Sequence, residues 1–398
     1  MFFRFVFYSE LILIDKAAYA IIKSNQIKPY LRGDKMKIIS DYAGGNIIFK
    51  GFKKENGVTE IFLEQDMRDT DRWWFYWNFR IDEPPVGKVR FTFCNGKVVC
   101  PYGAAVSEDG QNWRYDPSGY EDACHFTYLF ETAQSRYFAF TLPYQVFHFE
   151  KFFSEISSRG EIKRTVLTKS EKGRDIPLLT FGSGGKDVVF TARHHCCEST
   201  ASYALEGVIE GIFAEHGNLP EKYRFHVIPF IDIDGAENGD QGKCRKPHDH
   251  NRDYTENPIY SSVKALKEYA EKLNCVCFID FHSPWRWGGA DSRPHIHLTS
   301  YAESNDELED EFVSALKTIT ESSDSDRIKY DGYITHPVNS ANQPDTSISD
   351  NYFRYVLGSR FALTIETPYS GDFEEAYTPE MLRKWGKAIA KAFGEVFG

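Results

Sequence analysis

The residues best placed to do chemistry lie in the stretch Arg193-His194-His195-Cys196-Cys197-Glu198, where an apolar run over 188–192 gives way to a helical pattern. An imidazole and a carboxylate three residues apart face opposite ways on a continuous strand, but across a strand-to-helix turn both can reach one metal ion. A second apolar run, 276–281, leads into Asp280-Phe281-His282-Ser283-Pro284. Strand ends on one edge of an α/β sheet gather at a common crevice, which makes His282 the natural third ligand. Two imidazoles and one carboxylate favour zinc over harder cations and leave a fourth position for water, whose pKa the ion lowers toward about 7. Each piece alone is weak: His-x-x-Glu is common by chance, and a lone histidine is more often a hydrogen-bonded structural residue than a ligand.

A third apolar run ends at Glu366, inside Leu363-Thr364-Ile365-Glu366-Thr367-Pro368-Tyr369. A carboxylate there can take a proton from the activated water and pass it to a leaving amine; the bland alternative is a salt-bridged or helix-capping glutamate. The polar loop from Asp240 to Tyr254 adds Asn251-Arg252, an amide donor beside a guanidinium fork, which suits a substrate carboxylate. Arg245 in the same loop could polarise a scissile carbonyl and hold the developing oxyanion. A loop so rich in charge is usually plain solvated surface, and that alternative stands for every residue in it. His248 and His250 rank as loop structure or as support for the ligands, because the three-ligand set is complete without them.

These residues need strands and helices to position them, and the patterning provides two regimes. Residues 46–142 read as short strands (47–49, 59–63, 73–81, 89–93, 125–130 and 137–142) with turns at Asn95-Gly96 and Asp109-Gly110, which predicts an all-β sandwich. The aromatic segment from Trp73 to Arg80 fits the core of that sandwich better than an exposed ligand platform. A helical connector over 145–158 follows, and then apolar runs at 176–181, 188–192, 225–231, 276–281 and 361–365 alternate with helices, the mark of an α/β domain with a buried sheet. One helix carries Leu205, Val208, Ile209, Ile212 and Phe213 on a single stripe, with Ser199 or Thr200 to cap it; others span 304–320 and 379–397. The expected domains are an extension or misplaced start over 1–36, a β-sandwich over 37–143 and the α/β unit over 144–398.

Composition narrows the class. At 398 residues the chain fits two globular units, and a net charge of −11 with no long basic stripe argues against nucleic acid. No uninterrupted run of about 18 apolar residues exists to cross a membrane. The apolar stretch 1–14 followed by Ala18-Tyr19-Ala20 resembles a cleavable leader, but Arg4, Glu10 and Asp15 spoil that reading, and Met36 offers a second start. The eight cysteines show no ladder of spacings and read as reduced thiols, with Cys275 and Cys277 in the core, consistent with a cytoplasmic protein.

In combination, His195-x-x-Glu198, Asp249-x-Asn251-Arg252, His282 and Glu366 resemble the zinc metallocarboxypeptidases, and a sandwich placed before them looks like the cytosolic-carboxypeptidase branch. The resemblance covers residue 40 onward. It implies Zn2+ on His195, Glu198 and His282, the terminal carboxylate of a peptide or peptide-like substrate on Asn251 and Arg252, the carbonyl oxygen on Arg245, and Glu366 as acid-base catalyst. It implies also that Asp249 accepts a hydrogen bond from His195, the usual role of a carboxylate behind a histidine ligand, and that Arg193 is a further substrate contact. The chain departs from the family at Cys196-Cys197, where many relatives have Pro-Gly or a basic residue, and in the closeness of Arg245 to the Asn-Arg pair. The expected reaction is hydrolysis of a C-terminal amide bond. The rivals are an N-acyl amino acid deacylase and a non-catalytic protein that binds carboxyl termini. Arg354 and Arg360, just before Glu366, would favour an acidic terminal side chain, unless they only make surface ion pairs.

Overall fold

The computed structural model describes residues 35–70, 74–158, 161–214, 218–301, 306–321, 328–336, 344–371 and 375–398. The expectations for residues 1–34 and for Trp73 lie outside these.

Two five-stranded sheets come first. One runs Lys37–Ile39, Asn78–Asp82, Arg136–Ala139, Ala105–Ser107, Arg114–Tyr115 across its width; the other runs Ile48–Glu55, Val58–Glu64, Gly87–Phe93, His125–Phe130, Tyr120–Asp122. Their inner faces meet through aromatic rings: Phe91 stacks on Phe126 at 4.6 Å, and both touch Phe138 of the opposite sheet. Alternation along each strand puts these rings on one face, and their burial drives the two sheets together. The pairing of Val58–Glu64 with Gly87–Phe93 is parallel, the exception in an otherwise antiparallel arrangement.

The strand expected over 73–81 is shorter than its pattern. Only Asn78–Asp82 joins the sheet, although Trp74, Phe75, Tyr76 and Trp77 are all buried. The backbone of Tyr76 is satisfied by a side chain instead of a strand: its N–H donates to Gln241 Oε1 (2.8 Å) and its carbonyl accepts from Gln241 Nε2 (2.8 Å). A buried amide group can thus be completed from 165 residues away.

We number the strands of the large sheet β1 (Lys163–Lys169), β2 (Asp175–Phe181), β3 (Lys186–Ala192), β4 (Tyr223–Ile228), β5 (Cys275–His282), β6 (His295–Leu298), β7 (Ile334–Thr335) and β8 (Phe361–Glu366), in spatial order β1-β2-β4-β3-β5-β8-β6-β7. The centre, β4-β3-β5-β8, is parallel and apolar through most of its buried positions, with Asp187, Thr191, His226, Asp280 and His282 among the buried polar exceptions, as suits a sheet covered on both faces. Cys277 is buried in β5 and Cys275 half-buried, and both are thiols. Helix α1 (Val146–Ile156) connects the two regions, α2 (Ser199–Ala214) follows the metal-ligand candidates, and α3 (Glu307–Thr320) and α4 (Pro379–Phe397) complete the long helices.

Helix α2 buries its stripe of Leu205, Val208, Ile209 and Ile212 and lies against α4. The contact is backbone on backbone: a Cβ on Gly207 would sit 2.0 Å from the Arg383 carbonyl oxygen, and one on Gly386 1.9 Å from that of Ala204. Both hydroxyls at the helix start bond to other segments. The Ser199 hydroxyl donates to the Leu142 carbonyl, and Thr200 is bonded to Ser283 and the Thr367 carbonyl, so the helix start is stitched to the ends of the strands around it. Among the described residues no helix is long and apolar enough to cross a membrane.

Candidate active site

The ends of β3, β5 and β8 converge. In the ladder Ala192 lies opposite Phe281, and His282 opposite Glu366, so the turn after β3 and the last residues of β5 and β8 share one sheet edge. Thr367 N–H donates to the His282 carbonyl at 2.9 Å, which extends the ladder one step past the side chains of interest.

The turn after β3 is forced by Arg193, which adopts a left-handed φ of 62°. That conformation costs a non-glycine residue about 1–3 kcal/mol unless its surroundings hold it. Here the guanidinium holds it by donating to the Cys196 carbonyl within the turn, and to the Tyr144 carbonyl (2.7 Å). The structure therefore does not bring Arg193 to the cleft as a substrate contact; it is 2 % exposed and serves the turn. The turn aims His195 and Glu198 inward.

His195 Nδ1 lies 2.9 Å from Glu198 Oε1, and His282 Nδ1 lies 2.7 Å from Glu198 Oε2. The three ligand atoms offered by His195, Glu198 and His282 fall within 4.8 Å of one another. A second trio, His194, Asp280 and His282, is equally close, but its donors are spent. His194 faces Asp280 with one nitrogen and the Tyr254 hydroxyl with the other, while Asp280 also accepts from Thr191 and Ser349. Behind the first trio, Asp249 Oδ1 is 3.5 Å from His195 Nε2, and Asp280 Oδ2 is 2.8 Å from His282 Nε2. A carboxylate on the far nitrogen of each imidazole fixes the ring and leaves Nδ1 for a cation. Sequence reasoning named Asp249 and missed Asp280, although Asp280 and His282 are two apart on a strand and so share a face.

The electrostatics agree with a cation site. Burial works against ionising Glu198, yet Lys243, His195 and His282 outweigh it and hold its carboxyl well below the usual range. Burial also opposes charge on His282, but Asp280 and Glu198 raise its pKa well above the ordinary histidine value. Asp249 is depressed by His195 despite its burial. Glu366 Oε2 is buried with no hydrogen-bond partner, an orphaned acceptor at the end of β8.

A cleft of about 620 Å³ opens on these groups, and its lining includes His195, Glu198, His282, Glu366, Asn251 and Arg252. Arg252 is exposed, donating to its neighbour's carbonyl, while Asn251 accepts from Ser349 N–H (3.0 Å) and lies 3.4 Å from His282 Nε2. Arg245 lines the cleft but is buried and surrounded: Asp69, Asp232 and Asp240 lie 3.0, 2.6 and 3.0 Å from its three nitrogens. Its Nη1 and Nη2 donate to Asp232 and Asp240, while Nε lies near Asp69 without a hydrogen bond, so the guanidinium is drawn to the aspartates. Lys243, two residues earlier, reaches the ligand cluster instead, with Nζ 2.6 Å from Glu198 Oε1. Burial lowers its pKa and Glu198 more than restores it.

His248 pairs with Asp253 and His250 stacks on Tyr260 at 3.7 Å, so both are loop structure. Arg354 and Arg360 both pair with Asp306, the residue that caps α3, and neither lines the cleft. The cleft wall beside Glu366 carries Asp350, Thr364, His297 and Ile348 instead, with the Thr364 hydroxyl donating to Asp350 Oδ2 at 2.9 Å.

Comparison with solved structures matches this arrangement to a metallo-carboxypeptidase from Burkholderia cenocepacia over 91% of the chain and 98% of that chain, with a TM-score of 0.74 and 19% identity. This is the metallo-carboxypeptidase fold. A metallo-carboxypeptidase from Pseudomonas aeruginosa, in complex with (2-guanidinoethylmercapto)succinic acid, matches equally well (TM-score 0.74, 20% identity, 90% and 98% covered). By sequence the chain is 23% identical to an uncharacterized protein of Zymomonas mobilis over 91% of its own length and 96% of the relative's. It is 25% identical to cytosolic carboxypeptidase 6 of Caenorhabditis elegans over 56% of this chain, and it spans 57% of that protein's length. No protein-family model matches the sequence.

Proposed function

We propose that the chain is a zinc-dependent carboxypeptidase acting on a peptide or peptide-like substrate with a free terminal carboxylate. One observation carries this reading: His195, Glu198 and His282 present ligand atoms within 4.8 Å of one another, and Glu366, whose Oε2 accepts no hydrogen bond, lies in the same cleft as Arg252. Two nitrogens and one carboxylate oxygen suit zinc, and each imidazole is backed by a carboxylate, so the residues present fit the ion. When bound, zinc supplies Lewis acidity that makes a water nucleophilic near neutral pH.

Arg252, with the Asn251 amide beside it, binds the terminal carboxylate and so sets which amide bond lies over the cluster. Glu366 takes one proton as the water oxygen bonds to the amide carbon, and returns it to the departing nitrogen as the C–N bond breaks. The cleft wall holds Asp350, buried and accepting from the Thr364 hydroxyl and the Asn351 N–H, where arginines were expected, and its negative charge favours a basic or neutral terminal side chain over an acidic one. The guanidino group of the ligand held by the Pseudomonas neighbour is in keeping with that preference. We assign residues 37–143 to the sandwich domain and 144–398 to the catalytic one; the strands of the two five-stranded sheets all precede residue 143 and those of the eight-stranded sheet all follow it, which supports that division.

The test is zinc content by elemental analysis with a panel of peptides differing in the last residue. One zinc per chain, turnover abolished by a chelator, and faster release of Lys, Arg or neutral residues than of Glu are expected. Glu366→Gln should keep zinc and fold while losing about 1,000-fold or more in kcat; near-normal turnover in that variant would sink the assignment. Preference for small N-acyl amino acids over peptides would move the reading to a deacylase.

A further inference from the structure

Among the described residues, Lys243, Arg245 and Arg252 are the lysine and arginines that line the cleft, and of these Lys243 reaches the ligand cluster. We infer that Lys243 is the electrophilic catalyst of the proposed hydrolysis, its ammonium holding the scissile carbonyl oxygen as negative charge builds there. The inference rests on the carboxypeptidase reading and deepens it.

Arg252 belongs to the substrate carboxylate, and Arg245 is shared among three aspartates. Lys243 differs from both. Its side chain is 5 % exposed, in a class of residue almost never fully buried without a partner, and among the described residues its one ion pair is with Glu198, with the Glu366 carboxylate acting on it from farther off. Glu198 is a proposed metal ligand, so its charge is not reserved for the lysine. The remaining neighbours position the ammonium without neutralising it: the carbonyl oxygens of Pro284 at 2.8 Å and Ser283 at 3.4 Å, and the rings of Trp74 and Tyr369 with centroids 5.4 and 5.7 Å away.

These supports come from three directions. Ser283 and Pro284 follow His282, Tyr369 follows Glu366, and Trp74 comes from the sandwich region. Trp74 is itself fixed, 3 % exposed and edge-on to Trp285 at 4.6 Å. A fixed ammonium beside a site for a dication weakens that site by like-charge repulsion, so a mere counter-charge for Glu198 would be a poor residue to keep there. A preorganised donor aimed at developing charge in a water-poor cleft is what acyl transfer requires. In the balanced reaction Lys243 gives up no proton. It donates an N–H to the carbonyl oxygen while the water oxygen bonds to carbon, and Glu366 carries the proton to the leaving amine.

The experiment compares the zinc-loaded wild-type protein with Lys243→Met and Lys243→Arg on the peptide it releases fastest. It reads kcat, KM, zinc per chain, Tm and the affinity of a phosphonate dipeptide, whose tetrahedral anion mimics the charged intermediate. Lys243→Met should lose about 100- to 1,000-fold in kcat, keep KM within about threefold and one zinc per chain, and bind the phosphonate more weakly by a comparable factor; Lys243→Arg should regain part of each. A kcat for Lys243→Met within about fivefold of wild type overturns the proposal. So does a loss that follows zinc content or Tm while phosphonate affinity of the loaded protein is unchanged, because that is the mark of a structural role. Should Lys243→Met fail to fold, Trp74→Leu carries the test: a fall in kcat of about 5- to 10-fold at full zinc loading supports the proposal, and an unchanged kcat overturns it. A wild-type protein that loads zinc but releases no terminal residue from any peptide overturns the carboxypeptidase reading itself; an active wild type with an unimpaired Lys243→Met overturns the lysine alone.

Discussion

His195, His282 and Glu366 stand at or just beyond the carboxyl ends of β3, β5 and β8, while Lys243, Arg245 and Arg252 face them from a loop whose one strand-like contact among the described residues is a bridge between Thr70 and Arg245. The strand ends are set by repetition: each rung of the parallel ladder fixes the next. The loop is pinned one side chain at a time. Gln241 holds Tyr76, three carboxylates hold Arg245, and Asp249 accepts from the N–H groups of Cys244 and Asn251. A ladder spreads the loss of one contact over its neighbours, whereas a pinned loop concentrates it, so the two sides of the cleft should respond differently to mutation.

The strongest way to break that comparison is Gln241→Ala. It leaves the buried N–H and C=O of Tyr76 without partners, which should cost about 2–4 kcal/mol of stability, and the loosened loop should lower kcat/KM with zinc still bound. Chemical denaturation with parallel zinc assays checks this, and unchanged stability would mean that the loop is not pinned there. Next in size, Asp280→Asn weakens the carboxylate behind His282 and should reduce zinc affinity about 10- to 100-fold, measured by chelator competition, with little change in folding because the β5 ladder is intact. A change confined to stability would show that Asp280 serves the strand and not the ligand. The smallest effect is expected from Arg354→Ala, whose ion pair with Asp306 is partly exposed: stability should fall by about 1 kcal/mol or less, and the ranking of terminal residues in the peptide panel should not change. A gain in release of basic residues would return Arg354 to the specificity pocket.

The same contrast explains what the sequence made legible. Apolar runs mark strands, and strands have fixed side-chain alternation, so the convergence of His195, Glu198, His282 and Glu366 follows from where the runs end. Alternation carries no information in the loop. Gly242 and Cys244 take left-handed φ values of 76° and 50°, which turn Lys243 toward the ligand cluster and Arg245 toward the aspartates, the reverse of what charge and spacing suggest. The segment from Trp74 to Trp77 reads as a strand because its residues are bulky and buried. What decides against a strand there is a partner amide far along the chain, which no local pattern reveals. Nearness in sequence to Glu366 suggests Arg354 and Arg360 for the specificity pocket, but β8 carries Glu366 to one end of the sheet while the arginines stay near the capped start of α3.

β8 is the last strand of the large sheet to be made, yet it lies between β5 and β6. His195 and His282 precede Glu366 in the chain, and β5 and β6 each pair with β8, so the place between them is filled by the strand made last. A sheet closed by its last strand depends on contacts distant along the chain, which slows the search for the native arrangement. It also means that Glu366 comes to stand beside His282 only when that last strand is in place.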